Sequence, residues 1–377
     1  MRICKLCEIA KFKTGKLNSN ASKNEGRYPF FTCAPEPLKI DTYAFDTKAI
    51  ILAGNNAEGN FHIQYFEGKF NAYQRTYVIE TIDDTIVDIR YLFYALKMCL
   101  KHFKLISQGT ATKFLTAKIL NAFELPIPEI DLQQKLVSLL AAIDDKIEEN
   151  QKINENLDQQ IESILLAMFN SAKTDCVRLG DYLYIKGRIG WKGLKKDEYL
   201  DQSKYRIING ESLTKSGVDW LKAGYISKNR YIESPEIMLK EGDILLSKDG
   251  TIGKIGYIDS LETHATVASG IFVIRNIKPE IISTTFIYYL LKSRLFKGFI
   301  AARTEGSVIP HLYQKDFMQF EFPLPSSDEM KAFDAITKPM FSMIIGNLQE
   351  NQKLSRLRDE LLPKLMSGEI DISITDL

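Results

Sequence analysis

The sequence predicts a mixed α/β protein: two copies of one α/β module, separated by two long antiparallel helices in a pseudo-twofold arrangement. Three observations predict it. An internal repeat spans nearly half the chain per copy. Basic and acidic blocks alternate in step with that repeat. Two apolar stripes at helical spacing fill the acidic blocks. The length of 377 residues suits two to three domains, and 45% hydrophobic with 26% charged residues is ordinary globular composition. That excludes disordered, collagenous and disulfide-scaffold classes.

The repeat is read from matched landmarks. Gln108-Gly109-Thr110 precedes Phe123-Glu124-Leu125-Pro126-Ile127-Pro128, as Glu305-Gly306-Ser307 precedes Glu321-Phe322-Pro323-Leu324-Pro325. Glu149-Asn150-Gln151-Lys152 recurs as Glu350-Asn351-Gln352-Lys353. Lys5-Leu6-Cys7-Glu8-Ile9 matches Arg178-Leu179-Gly180-Asp181-Tyr182, and Thr14-Gly15-Lys16 matches Lys186-Gly187-Arg188. The offset is about 172 at the start and 197 at Gly109 and Pro126, so the first module lacks roughly 25 residues of loop.

Four segments follow: residues 1–128, a first module; 129–172, a central helix; 173–325, a second module; and 326–377, a C-terminal helix and tail. They carry 17, 3, 23 and 6 Lys/Arg against 12, 9, 18 and 9 Asp/Glu. Basic modules suit a polyanion, whereas acidic helices do not lie along phosphates. Each excess is small, so charge alone does not decide the matter.

Within the modules, Ile50–Ala53 and Ile244–Ser247 are short apolar runs ending in polar loops. Thr76–Ile79 and Ile271–Ile274 read as buried strands. A helix is expected after each, over Ile89–Lys101 and Thr285–Phe296. In the central helix apolar residues fall at 132, 136, 140, 143, 147, 157, 161, 164 and 168, with Asn150 and Asn154 in the same stripe. Asn in such a seam fixes register and orientation. Residues 131–170 would span about 60 Å. The C-terminal stripe is Phe333, Ile336, Met340, Met343, Leu348, Leu354, Leu357, Leu361 and Leu365, with Pro339 expected to kink or divide the helix at Lys338.

Catalytic signatures are missing. Gly250-Thr251-Ile252-Gly253-Lys254 lacks phosphate-loop spacing, and no Asn-Pro-Pro-aromatic or Asp-Pro-Pro-aromatic tetrapeptide of amino-methyltransferases occurs. Glu67-Gly68-Lys69 lacks the Pro-Asp step of a nuclease site. Cys4 and Cys7 have no second pair for a zinc site, and four dispersed histidines show no ligand spacing. Five cysteines at irregular spacing, no apolar run long enough for a membrane span and no apolar leader predict a reduced, cytoplasmic compartment without membrane contact.

The polar loops remain. In the first module they offer Asn55, Asn56, Asn60, Gln74, Arg75, Gln108, Thr110, Thr112 and Lys113. In the second they offer Lys248, Asp249, Thr251, Lys254, Ser269, Arg303, Thr304, Ser307 and His311. These are side chains that contact base edges and phosphates. The Gly250 loop reads first as a plain hairpin or bulged loop and only second as a DNA-facing one, and His311 reads equally as a plain loop histidine. Similar scaffolds with different loop residues suit two different half-sites. An enzyme with an unrecognised site and an interaction protein that binds no DNA are the competing readings.

Phe123–Pro128 through Gln133-Gln134-Lys135-Leu136-Val137 and Ile143-Asp144-Asp145-Lys146-Ile147, with the closing Leu357–Ile370, resembles the specificity subunits of type I restriction–modification enzymes. The resemblance covers essentially the whole chain. It implies two target-recognition domains, each docking in the major groove of one half of a bipartite double-stranded target. The helix pair would be a ruler holding the unread spacer near one helical turn. It implies no catalysis and no bound cofactor in this chain. Two adenine-methyltransferase subunits and the helicase–nuclease restriction subunits would supply the S-adenosylmethionine, ATP and Mg chemistry. Candidate subunit-interface positions on the helices are Ile143, Ile147, Asn150, Asn154, Leu157, Leu348, Asn351, Leu354 and Leu357.

Overall fold

The computed structural model describes residues 2–23, 25–171, 175–189, 193–214, 216–304 and 311–370. Statements about what is absent or counted refer to these. The chain divides into two compact units, one of Met1–Lys146 with Leu354–Leu377, the other of Ile147–Lys353. Each is described by itself.

In the first unit β1 (Arg2–Lys5) is followed by β2 (Ala10–Thr14), β3 (Tyr28–Phe31), β4 (Leu38–Ile40), β5 (Phe45–Ala53), β6 (Asn55–Asn56), β7 (Ile63–Ala72), β8 (Thr76–Thr81), β9 (Lys113–Phe114) and β10 (Glu124–Ile127). A six-stranded sheet runs β2-β8-β5-β7-β3-β4. Alternation along β5 sends Ile50 and Leu52 to one face and Ala49 and Ile51 to the other. The first face packs on Tyr91, Leu92 and Leu96 of a helix, Ile89–Met98. Asp88 starts that helix by accepting the Arg90 and Tyr91 amides at 2.8 and 3.0 Å.

The helix expected over 89–101 is two: it ends at Cys99, and Leu100–Ile106 follows. The Cys99 amide turns back to Leu96 and Lys97, a tightened last turn that breaks the periodic run. The second expected helix likewise splits into Thr284–Lys292 and Arg294–Thr304. There the Ser293 hydroxyl donates back to the Leu290 carbonyl at 2.7 Å, closing one helix where the next begins.

The second unit holds β11 (Cys176–Arg178), β12 (Leu183–Gly187), β13 (Tyr205–Ile208), β14 (Leu213–Thr214), β15 (Gly217–Val218), β16 (Gly224–Ile226), β17 (Ile244–Ser247), β18 (Ile255–Tyr257), β19 (His264–Val267), β20 (Ile271–Asn276) and β21 (Glu321–Pro323). The order β12-β20-β17-β18 repeats β2-β8-β5-β7, antiparallel throughout. The terminal clip also recurs in register: Ile3 opposite Pro126, Cys176 opposite Pro323. The modules differ between β2 and β5 and between β12 and β17. In the first module that segment gives β3 and β4, which extend the main sheet. In the second the longer segment gives β13 and β16, which form a separate sheet, β16-β13-β19, with β19 from the β18–β20 connection.

The central helix, Ile130–Ser171, and the C-terminal helix, Ser327–Ser367, each pass from one unit to the other. In the first unit Leu136, Leu140, Leu362 and Leu365 join the module core. Ile161, Leu165, Phe333, Phe341 and Ile344 do so in the second. Within each unit the helices are antiparallel. Asp144 meets Arg358 at 2.7 Å in the first; in the second Asn150 meets Asn351 at 2.9 Å and Asn154 meets Asn347 at 2.8 Å.

Pro339 does not divide the C-terminal helix. Pro339 and Ala335, whose carbonyl loses its partner to the proline, both lie on the exposed side, so that carbonyl is not lost to a buried environment. The expected stripe also needs correcting. Ile336, Met343 and Leu357 are 53%, 55% and 46% exposed. The buried row is Met330, Phe333, Thr337, Phe341, Ile344 and Asn351, and its two polar members hid it from an apolar search.

Candidate nucleic-acid interface

Each module closes its sheet with a three-way backbone junction. In the first, the Gly54 amide donates to the Arg75 carbonyl at 2.8 Å, and the Leu115 amide donates to the Gly54 carbonyl at 2.9 Å. In the second, the Lys248 amide donates to the Gly270 carbonyl at 2.8 Å, and the Leu312 amide to the Lys248 carbonyl at 2.9 Å. Leu115 and Leu312 are both buried and pin the returning segment. Just beyond lies a short antiparallel pairing, Asn55 opposite Phe114 and Asp249 opposite His311.

The first junction gathers most of the expected residues. Asn55 and Asn56, expected in a loop, form β6 against β9. A strand partner nearly sixty residues away leaves no local trace in the sequence. The Gln108 and Phe114 backbones exchange hydrogen bonds at 3.0 and 2.7 Å around Gly109. Gly109 has φ +106°, and a Cβ there would lie 2.0 Å from the Thr112 carbonyl oxygen. This glycine brings Gln108, Thr110, Thr112 and Lys113 to the junction. The Arg75 guanidinium sits 5.5 Å from the Phe114 ring centre. Asn56 Oδ1 accepts the Glu58 and Asn60 amides, and Asn60 Oδ1 accepts Lys104 Nζ at 2.8 Å. Exposed Gln74, next to Arg75, donates to Asn18 Oδ1 at 2.7 Å.

Two members of this cluster escaped sequence reasoning. Cys33 donates from Sγ to Asn55 Oδ1 at 2.8 Å, and nothing in the sequence marks it. Lys104 lies one helical turn before Gln108, a spacing that could have signalled it.

The second junction gathers Lys248, Asp249, Thr251, Lys254, Ser269 and His311. The Gly250–Gly256 run supplies the hairpin link between β17 and β18 and the first two residues of β18. It is closed by Ser247 Oγ, which donates to the Thr251 carbonyl at 2.7 Å and accepts the Lys254 amide at 2.8 Å. Lys254 Nζ reaches the Gly210 carbonyl at 2.8 Å. Asp249 Oδ2 lies 3.3 Å from Lys248 Nζ, and Oδ1 contacts His311 Nδ1. Ser269 sits in the turn that ends at Gly270. Arg303 stands on its own helix, 3.5 Å over the Phe299 ring centre, with no described bond to the junction. Thr304 lies at that helix's end, and Ser307 lies outside the described residues.

The other candidates resolve differently. Ile143, Asn150, Asn154 and Asn351 are buried within the chain, Ile147, Leu157, Leu348 and Leu354 are partly buried, and Leu357 is exposed. The buried four lie within the chain, and the three asparagines among them hydrogen-bond across the helix seam. Asn150 Nδ2 also donates to Glu350 at 2.6 Å. Glu67 pairs with Lys48 at 3.4 Å, and Lys69 lies over the Tyr43 ring. Among the described residues no group of three or more His, Cys, Asp or Glu is placed to hold a metal ion. No described helix is long and apolar enough to cross a membrane. All five cysteines are free thiols.

Two modules with one backbone plan and different exposed side chains define a protein of paired recognition domains. A profile described as "Type I restriction modification DNA specificity domain" matches residues 1–159 and 174–354. The chain is similar to the type I restriction enzyme EcoDI specificity subunit of Escherichia coli, at 26% identity across 97% of this chain and 87% of that one. It is also similar to the MjaVIII specificity subunit of Methanocaldococcus jannaschii, at 23% identity across 92% and 87%. The crystal structure of the type I restriction–modification S subunit from M. genitalium shares the fold, with a TM-score of 0.54 at 18% identity over 97% of this chain and 95% of that one. The chain belongs to the type I restriction–modification DNA specificity family. It is a specificity subunit with two recognition domains, the DNA-recognition component of such a system, not a self-contained methyltransferase or nuclease.

Proposed function

We propose that the chain reads a bipartite double-stranded target, with the junction of each module in the major groove of one half-site. The helix pair sets the unread spacer, at about one duplex turn between half-site centres. The observation that carries this is the matched junction: the same backbone bonds at Gly54 and Lys248, with Asn, Arg and Lys around one and Lys, Asp and His around the other. The acidic helices seat two adenine-methyltransferase subunits and, through them, the restriction subunits. Those partners bring S-adenosylmethionine, ATP and Mg; this chain binds none of them. Five free thiols suit a reducing, cytoplasmic compartment.

The test is duplex binding and turnover by the pure chain. Binding is expected to weaken about a thousandfold or more between 50 and 200 mM salt, as for a protein with six or more phosphate contacts. Methylation is expected only after a methyltransferase subunit and S-adenosylmethionine are added. Salt-independent binding, or turnover by the chain alone, contradicts the proposal.

A further inference from the structure

Asn55 and Asp249 are one position in two modules. Each is the second residue past the central strand, and the preceding residue makes the same two backbone bonds in both. Each pairs antiparallel with the residue just before a buried leucine, Phe114 before Leu115 and His311 before Leu312. What differs is the side chain and what surrounds it. In the first module Arg75 stands opposite, near the Phe114 ring. In the second that place is Gly270, where an added Cβ would sit 3.5 Å from both Cβ and Oδ2 of Asp249. That is ordinary van der Waals contact, so the Asp249 carboxylate lies directly beside the glycine, where the first module has the Arg75 side chain.

Asp249 is held at the surface and is not spent in the core. Its side chain is 39% exposed, with Lys248 on one oxygen and His311 on the other. Each oxygen keeps a free lone pair. A carboxylate is repelled by phosphates and is an acceptor only, so on a DNA-reading face its productive partner is an exocyclic amine. In the major groove two bases offer one. Adenine N6 lies beside N7, an acceptor that opposes a carboxylate. Cytosine N4 has no acceptor beside it on the same base.

We propose that Asp249 selects a cytosine in the half-site of the second module, with Lys248 and His311 as positioning residues that hold its carboxylate. Asn55 is the matching selector in the first module, where an amide reads a different base. This rests on the proposed reading of DNA by the two junctions.

The experiment is selection from randomised duplexes by the full chain, followed by sequencing, for the wild type and for Asp249→Ala, Asp249→Asn and Asn55→Ala. The wild type is expected to prefer cytosine about tenfold or more at one position of one half-site. Asp249→Ala erases that preference and leaves the other half-site intact. Asp249→Asn, nearly isosteric and so the safeguard against misfolding, moves the preference toward adenine, which an amide matches at N6 and N7. Asn55→Ala alters the other half-site only. If either Asp249 variant keeps the wild-type base preferences at every position while still selecting DNA, the assignment of Asp249 is overturned. If the wild type selects no sequence, the DNA-reading proposal beneath it fails as well, a distinct result.

Discussion

The two junctions share their hydrogen bonds and almost none of their chemistry. Around Gly54 the side chains are amides and cations, with Arg75 over an aromatic ring and Lys104 on Asn60. Around Lys248 a carboxylate takes the centre, with a lysine and a histidine on it. The framework is carried by backbone groups and buried apolar residues: Leu115 and Leu312, Leu52 and Leu246, Ile79 and Ile274. Exposed side chains do not enter those bonds, so they differ without moving the strands. One backbone plan thus carries two different sets of exposed side chains.

Variants that strike both modules, or one and not the other, sharpen the comparison. The largest expected effect is Phe286→Ala. This fully buried ring packs on Phe322 and Phe333 and ties the second module to the C-terminal helix. A loss of about 3–5 kcal/mol is expected. Hydrogen exchange should show it in the second unit while first-unit protection persists.

Asn150→Leu with Asn154→Leu comes next. It strands Asn351 and Asn347 in the seam at a cost of about 1–3 kcal/mol. Replacing those two as well should recover most of the loss in thermal unfolding. If it does not, the asparagines do more than satisfy one another.

Gly109→Ala is expected to cost about 1–3 kcal/mol, because its φ and the nearby Thr112 carbonyl both exclude a Cβ. Selection by that variant should lose the first half-site alone. Gly250→Ala has φ +65° with open space around it, so about 1 kcal/mol is expected and the second half-site should survive. Equal effects at the two sites would break the comparison.

The smallest effect is a pH limb. Burial, then the Asp144 carboxylate, pushes the Tyr94 hydroxyl well above its ordinary value; burial, then Asp158, does the same to Tyr289. A raised tyrosine contributes its full stability below the unfolded value of 10.0 and loses it as pH climbs beyond. Urea midpoints should therefore fall above pH 10, and fall less steeply in Tyr94→Phe with Tyr289→Phe, at about 1 kcal/mol per lost hydrogen bond at neutral pH.

Much of this architecture was legible in the sequence. Matched landmarks at Gly109 and Pro126 located the repeat, and the apolar stripe of the central helix is buried or half-buried along its length. The C-terminal stripe misled because Thr337 and Asn351 occupy the buried face while Ile336, Met343 and Leu357 stand outside it. An apolar period cannot rank faces when the true one contains polar residues. At the junctions the residue types were legible, but their assembly was not. Asn55 meets Phe114, Cys33 and Thr76 meet across 43 positions, and Asp249 meets His311. Such pairings are set by sheet closure, which local patterns do not encode.

The measurement that bears most directly on the two-module account is an exchange of residues 1–128 for those of another family member, with target selection by both chains. The account predicts two blocks of base preference separated by an unread gap, with one block replaced and the other kept. Replacement of both blocks, or of neither, would contradict it.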